Sequence, residues 1–306
     1  MTQRTVILLL LCLVPTVAQA QADTPASQEL RDSLAPASAG TESSTDAVEQ
    51  IDVVEARPLR YGNDFAQADR IFNILTARTA RKGNYIITIN HRAYEAVSKD
   101  PWFDYAGLDG GSLKIGLGVR YGLLDGLDAG VFRLNGTVEA FDTYELDARY
   151  QILNQNRFGC DLAVRGGVSW FSQKNAKDAS GFVGQLLLDR IFADRIIVGG
   201  GLLYHSSSSN DKKRSSDTGF SVAGTLFTEY RFLGNLAADA EVAETLGGYH
   251  SKYPNFTVGL KAYTNRHTFA LLVTNTQYMG ADGMLANTWR AKPTEWIIGF
   301  NITREI

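Results

Sequence analysis

From Leu113 to Tyr121 the chain reads Leu-Lys-Ile-Gly-Leu-Gly-Val-Arg-Tyr, with an apolar side chain at every second position and Lys, Gly or Arg between them. A strand has a side-chain period of two, so this run sets an apolar face opposite a charged or empty one. Similar runs recur to the last residue and predict about twelve strands, at 85–93, 112–122, 127–134, 143–153, 160–171, 182–191, 195–204, 220–232, 236–243, 256–263, 267–276 and 295–305. A tilted membrane-spanning strand needs roughly 9–11 residues, whereas soluble strands average nearer 5–6, and most of these runs fall in the longer class. The expected fold class is all-β: an antiparallel up-and-down transmembrane barrel.

The connections alternate as such a barrel requires. Those after the even-numbered strands are short, at Leu123–Gly126, Asn154–Gly159, Phe192–Asp194, Leu233–Asn235 and Thr264–Arg266. Those after the odd-numbered strands are longer and more polar, as at Tyr94–Gly111, His205–Gly219 and Gln277–Thr294. Outer-membrane barrels join short periplasmic turns to long outer loops. An even strand number then puts both termini on the periplasmic side, and the expected location is the outer membrane. In the final run Trp296, Ile298, Phe300, Ile302 and Ile306 share one parity. That pattern suits recognition by the barrel-assembly machinery, the expected partner besides outer-membrane lipid. Arg304 breaks the parity where its stem can lie on apolar surface while its charge reaches water.

Parity also separates lumen from lipid. Each midplane Lys or Arg on the lipid face costs about 2–4 kcal/mol, so the charged parity belongs inside. This assigns to the lumen Lys114 and Arg120, then Glu145, Asp147 and Arg149, then Asp161 and Arg165. Glu229, Arg231, Asp239, Glu241 and Lys261 complete the set. Tyr121, Tyr150, Trp170, Tyr204, Tyr230 and Trp296 stand near strand ends, as an interfacial girdle would. Two readings of the mixed-charge interior stay open. In one, the charges line a passive channel and select a small solute or ion. In the other, they form a cross-strand network that fills the lumen of a structural or binding barrel.

The first 84 residues have a different character. Arg4, the apolar run Val6–Val14 and Ala18-Gln19-Ala20 make residues 1–20 a secretory signal. Cys12 falls inside it and follows Leu11, where a lipoprotein signal needs a small residue. Cys160 is then the one cysteine of the mature chain, which precludes an intramolecular disulfide. Residues 21–64 form an acidic leader too poor in apolar residues to offset its ordering entropy, and disorder is expected. Within it, Ile51-Asp52-Val53-Val54-Glu55-Ala56 resembles the energy-coupling box of large outer-membrane transporters, and equally a few aliphatics in a linker. Residues 65–84 hold Phe65, Ile71, Phe72 and Leu75, then Arg78, Arg81 and Lys82. This lead-in fits a short helix and an extended segment equally, and the barrel is expected from 85 to 306. Formal net charge is -3, which is no footprint of a nucleic-acid binder.

Candidate chemistry is sparse. His205 and Ser207 lie two apart at the end of the seventh run, so they can share a strand face. Lipid hydrolases of barrel form use such a pair, with His as general base for the Ser nucleophile. Asn210 or Asp211 would orient the ring. The same residues also read as the start of a serine-rich polar loop, Ser206 to Arg214, and the enzyme is the secondary reading. Four histidines give no metal-ligand spacing. Asp100, Asp104 and Asp109 depart from a calcium-loop pattern and read as a solvated loop. No cofactor is expected.

Short landmarks extend the picture: Asp69-Arg70-Ile71-Phe72-Asn73, Lys82-Gly83, Ile89-Asn90-His91-Arg92, Gly107-Leu108-Asp109-Gly110 and Leu117-Gly118-Val119-Arg120-Tyr121-Gly122. Thr143-Tyr144-Glu145-Leu146, Arg149-Tyr150, Thr274-Asn275-Thr276-Gln277-Tyr278-Met279 and Gly299-Phe300-Asn301-Ile302-Thr303-Arg304 follow in order. Together they resemble a family of bacterial outer-membrane β-barrel proteins classed as a domain of unknown function, over roughly Asp69 to Ile306. The chain departs from that pattern at Ala93 and at Leu134-Asn135. The resemblance implies an outer-membrane barrel and brings no catalytic residues with it.

Overall fold

In a computed structural model the alternating runs become twelve antiparallel strands that close on themselves. The structure describes residues 69–93, 96–97, 113–135, 142–172, 179–207, 219–248, 253–277, 279–281 and 294–306. The signal and leader, the start of the lead-in, Asp100, Asp104, Asp109, Asn210 and Asp211 lie outside the described residues. The strands are β1 (Tyr85–Arg92), β2 (Lys114–Leu124), β3 (Leu127–Leu134), β4 (Asp142–Leu153), β5 (Asp161–Ser172) and β6 (Ala179–Phe192). They continue as β7 (Ile196–His205), β8 (Ser221–Leu233), β9 (Leu236–Gly248), β10 (Asn255–Tyr263), β11 (His267–Thr274) and β12 (Ile297–Glu305). A four-residue helix, α1 (Gln155–Phe158), sits in the β4–β5 connection.

Each strand pairs with its sequence neighbours, and β1 pairs with β12 from Ile86↔Glu305 to Arg92↔Gly299. At that seam the Tyr85 amide donates to the Ile306 carbonyl at 2.9 Å, and the Ile306 amide donates back at 2.8 Å. Closure leaves no open edge. It also puts the start of β1 and the end of β12 at one rim, the near mouth. The short turns sit at this mouth and the longer connections at the other, the far mouth.

Parity sorts the two faces. Outward-pointing Leu117, Val131, Leu146, Phe182, Leu260 and Leu271 are between 46% and 68% exposed. A continuous apolar belt of this kind needs lipid, not water, against it. Aromatic pairs mark the rims: Tyr85 and Tyr121 at the near mouth, with centroids 4.5 Å apart, and Tyr144 stacked on Trp170 at the far mouth, at 5.4 Å. β9 runs five residues beyond its predicted end. Its pairing with β8 shifts between Val222 and Ala223, so that Gly247 and Thr245 oppose them and Leu246 is extra. A bulge of this kind carries a strand past the point where simple alternation stops.

The interior is filled. The lead-in enters the near mouth and turns back on itself through an antiparallel bridge between Arg70 and Leu75. Ile71 N donates to Ile74 O and Thr76 N to Asp69 O, both at 2.9 Å. It is therefore neither a helix nor an extended strand but a tight reverse turn. Ile71, Phe72 and Ile74 pack with Val183, Leu203, Phe227 and Leu272 of the wall, while Leu75 and Ala77 pack with Ala163 and Leu187. Apolar inward positions on the strands thus have a partner that only an inserted segment can supply. Gly122 makes room for the return path to β1. A Cβ there would press into the Arg81 carbonyl, where Lys82 bridges to Gly122 and the Gly83 amide donates to its carbonyl at 2.8 Å.

Candidate functional site

All twelve charged residues assigned inward by parity are buried, none more than 8% exposed. What they face differs from a conduction path: much of the set grips the inserted turn. At its tip the amides of Phe72, Asn73 and Ile74 all donate to the Glu241 carboxylate on β9, at 3.0–3.1 Å. Three successive N–H groups converging on one anion form a nest, which suits a buried carboxylate. The Asn73 side-chain amide adds a bond to Glu241 at 2.5 Å and one to Thr257 at 3.2 Å. Asn301 Nδ2 donates to the Phe72 carbonyl at 2.9 Å, and Arg92 Nη2 to Asn73 Oδ1 at 2.8 Å. Nearer the mouth the Ala77 amide donates to Asp189 at 2.5 Å and the Ala80 amide to Asp128 at 2.7 Å. Arg149 Nη1 donates to the Thr76 carbonyl at 2.8 Å and to the Asp69 carbonyl at 3.3 Å.

The remaining charges pair across the wall. Arg120 reaches Asp128 and Asp147, each at 2.7 Å, and Asp69 of the insert at 3.6 Å. Arg149 meets Asp128 at 2.6 Å, and Arg165 meets Glu145 and Asp147 at 2.8 Å. Lys261 lies 2.9 Å from Glu229 and 2.7 Å from Asp239, and the Tyr263 hydroxyl donates to Glu229 at 2.6 Å. Lys114 donates to the Asn135 carbonyl at 2.9 Å. Arg231 lies over the Tyr263 ring, 4.8 Å from its centre. Asp161 accepts from the side chain of Gln151 at 2.9 Å and the amide of Gln155 at 2.7 Å. Arg78 of the insert stands 4.0 Å from Asp161 and 3.7 Å from Asp189. Burial by itself would raise the Asp69 carboxyl, but Arg70 first and then Arg120 and Arg149 outweigh it and hold it below the usual carboxylate range.

The far side of the lumen is crossed as well. After β11 the chain turns inward: Met279 packs on Phe132 and Leu134 of β3, and the Ala281 amide donates to Glu145 at 2.6 Å. Between this crossing, the insert and the β2–β6 wall lies a narrow polar cavity of water-molecule size, faced by Arg70, Arg120, Asp147 and Gln185. Among the described residues the Gln185 side-chain amide has no hydrogen-bond partner there.

Sequence reasoning missed several members of this network, Asp128, Asp189, Arg92 and Asn73 among them. Asp128, Asp189 and Arg92 occupy inward parity near strand ends, so the same alternation could have found them. Asn73 lies in no periodic segment and carries no such signal.

The predicted His205–Ser207 pair takes another form. β7 turns His205 inward, where it is fully buried. The Ser207 backbone amide donates to Nδ1 at 3.0 Å, so a neutral ring keeps its proton on Nε2. Nε2 stands 2.6 Å from Ser169 Oγ. The hydroxyl brought to the ring is therefore that of Ser169, and the ring donates to it instead of accepting its proton as a general base must. Among the described residues no group of three His, Cys, Asp or Glu side chains is placed to hold a metal ion.

The family model described as a membrane-bound β-barrel domain, DUF5777, matches residues 66–306. No curated protein matches the chain. Among solved structures, the KdgM porin aligns with 11% identity and a TM-score of 0.42, over 72% of this chain and 98% of its own. The NanC porin aligns with 12% identity and a TM-score of 0.42, over 72% and 98%. Outer membrane phospholipase A from Escherichia coli aligns with 13% identity and a TM-score of 0.41, over 73% and 92%.

Proposed function

We propose a function for a chain that belongs to the membrane-bound β-barrel domain family DUF5777: it is an outer-membrane barrel whose lumen is closed at rest by the chain's own lead-in. This favours the structural or binding barrel over the passive channel. The observation that carries it is the Glu241 carboxylate, committed to three amides and one side-chain amide of residues 72–74. A wall charge spent on holding a peptide is not free to select a passing ion. The near mouth, with its short turns, faces the periplasm in this reading, and β12 is the strand offered to the assembly machinery.

Purified full-length protein reconstituted in planar bilayers tests this. With a folded barrel verified by heat-modifiable electrophoretic mobility, low voltage is expected to give no unitary current steps. A conductance that is open from the moment of insertion would overturn the closed-lumen reading and restore the passive pore.

A further inference from the structure

We propose that the wall beneath residues 69–84 is a cation-selective path, occupied at rest by a cationic segment of the same chain and opened when that segment leaves through the near mouth. The proposal rests on the closed-lumen reading and adds an activity to it.

Withdrawal of the insert takes partners from some wall charges and not from others. Among the described residues no strand cation stands in ion-pair contact with Glu241, Asp189 or Asp161; the cation at the two aspartates is Arg78 of the insert. Glu241 is satisfied chiefly by the turn amides, and Asp189 takes the Ala77 amide as well. Withdrawal takes these partners away; Asp161 keeps Gln151 and the Gln155 amide, and Arg92 of β1, joined to Glu241 through Asn73, loses that bridge but keeps Asn301. The wall's other bases keep more. Arg149 loses two carbonyls but keeps Asp128, Arg120 loses Asp69 but keeps Asp128 and Asp147, and Lys261 keeps Glu229 and Asp239. Buried acids on the strands also outnumber the buried bases. The vacated lumen is therefore left with uncompensated negative charge, and rings of carboxylates draw cations.

The insert is built to travel as a unit. It carries Arg70, Arg78, Arg81 and Lys82 against the single acid Asp69. Arg81 and Lys82 are already exposed at the mouth, and Gly83 beside them has φ of 83°, the left-handed conformation a pivot without Cβ adopts freely. A net positive segment in an electric field moves with a preferred sign, so opening should favour one polarity of applied voltage.

The test uses the full chain with Asn73→Ala and Arg78→Gln together, which loosens the insert from its own side and leaves every wall carboxylate in place. In planar bilayers under a KCl gradient, openings at one polarity are expected, with a reversal potential on the K+ side of zero. Loss of charged hydrogen bonds should raise open probability on the order of tenfold or more over the unaltered chain. A second variant keeps Arg78→Gln and puts a tether in place of the alanine: Asn73→Cys with Thr257→Cys, whose side chains touch, in a Cys160→Ser background. Oxidised, it should be silent; reduced, it should release the current.

Anion preference, equal openings with the tether closed, or silence of a folded Asn73→Ala/Arg78→Gln variant would each overturn the proposal. If the double variant does not assemble, Arg78→Gln alone with the tether gives the same comparison. Steady conductance in the unaltered chain would instead defeat the closed-lumen reading, so the two failures are distinguishable.

Discussion

Ala193 and Asp194 form the two-residue turn between β6 and β7, with φ of 49° and 54°. The Arg195 amide closes the turn onto the Phe192 carbonyl at 3.0 Å. Positive φ at both central positions is the hairpin geometry that matches strand twist, and it suits Asn and Gly far better than Ala. An L-residue with a Cβ loses roughly 1–2 kcal/mol in this region. Ala193→Asn, whose short polar side chain tolerates it, is expected to stabilise the folded barrel by about 1 kcal/mol. Urea titration of protein refolding into lipid vesicles would measure it, with Asp125→Asn in the β2–β3 turn as a control for surface charge. Residue-scale reasoning of another kind decides His205. There one backbone amide, donating to Nδ1, leaves the ring's proton on Nε2, which faces Ser169 rather than Ser207.

At the scale of elements, alternation was legible because each strand carries its own evidence. Lys114, Gly116 and Arg120 point inward and Leu117 and Val119 outward, as a period of two dictates. The bulge at Leu246 was not legible, since it depends on how β8 and β9 meet rather than on either strand alone. The lead-in was illegible for a stronger reason. Its polar partners lie on β1 to β6, β9, β10 and β12, more than a hundred residues away in several cases, and its reverse turn has no period to detect. Alternation places the twelve charges on the buried face but gives no sign that a peptide occupies their centre. The lipid-facing assignment leads to a direct expectation. Leu146 lies midway along β4 and is 48% exposed, so Leu146→Arg should cost about 2–4 kcal/mol. Folding titrations in vesicles check this, and a cost below that of a rim substitution such as Tyr150→Arg would contradict the depth assigned to β4.

For the molecule as a whole, the proposed path holds a seal and a constriction in series, and they act differently. The lead-in is the seal and is held by charge. The crossing after β11 is the constriction, and among the described residues the Ala281 amide reaches Glu145 while Met279 packs against Phe132 and Leu134. Such a path stays shut while the seal is in place and is then limited by its narrowest section. Met279→Gly removes the apolar anchor of the crossing but leaves residues 69–84 in place, so by itself it should leave the protein silent in bilayers. Joined to Asn73→Ala and Arg78→Gln, it should widen the narrowest remaining section and raise the unitary conductance above that of those two substitutions alone, with the cation preference unchanged because the wall carboxylates are intact. Current from Met279→Gly alone would mean that the lead-in does not seal the near half. An unchanged unitary step in the triple variant would place the narrowest section elsewhere than at the crossing.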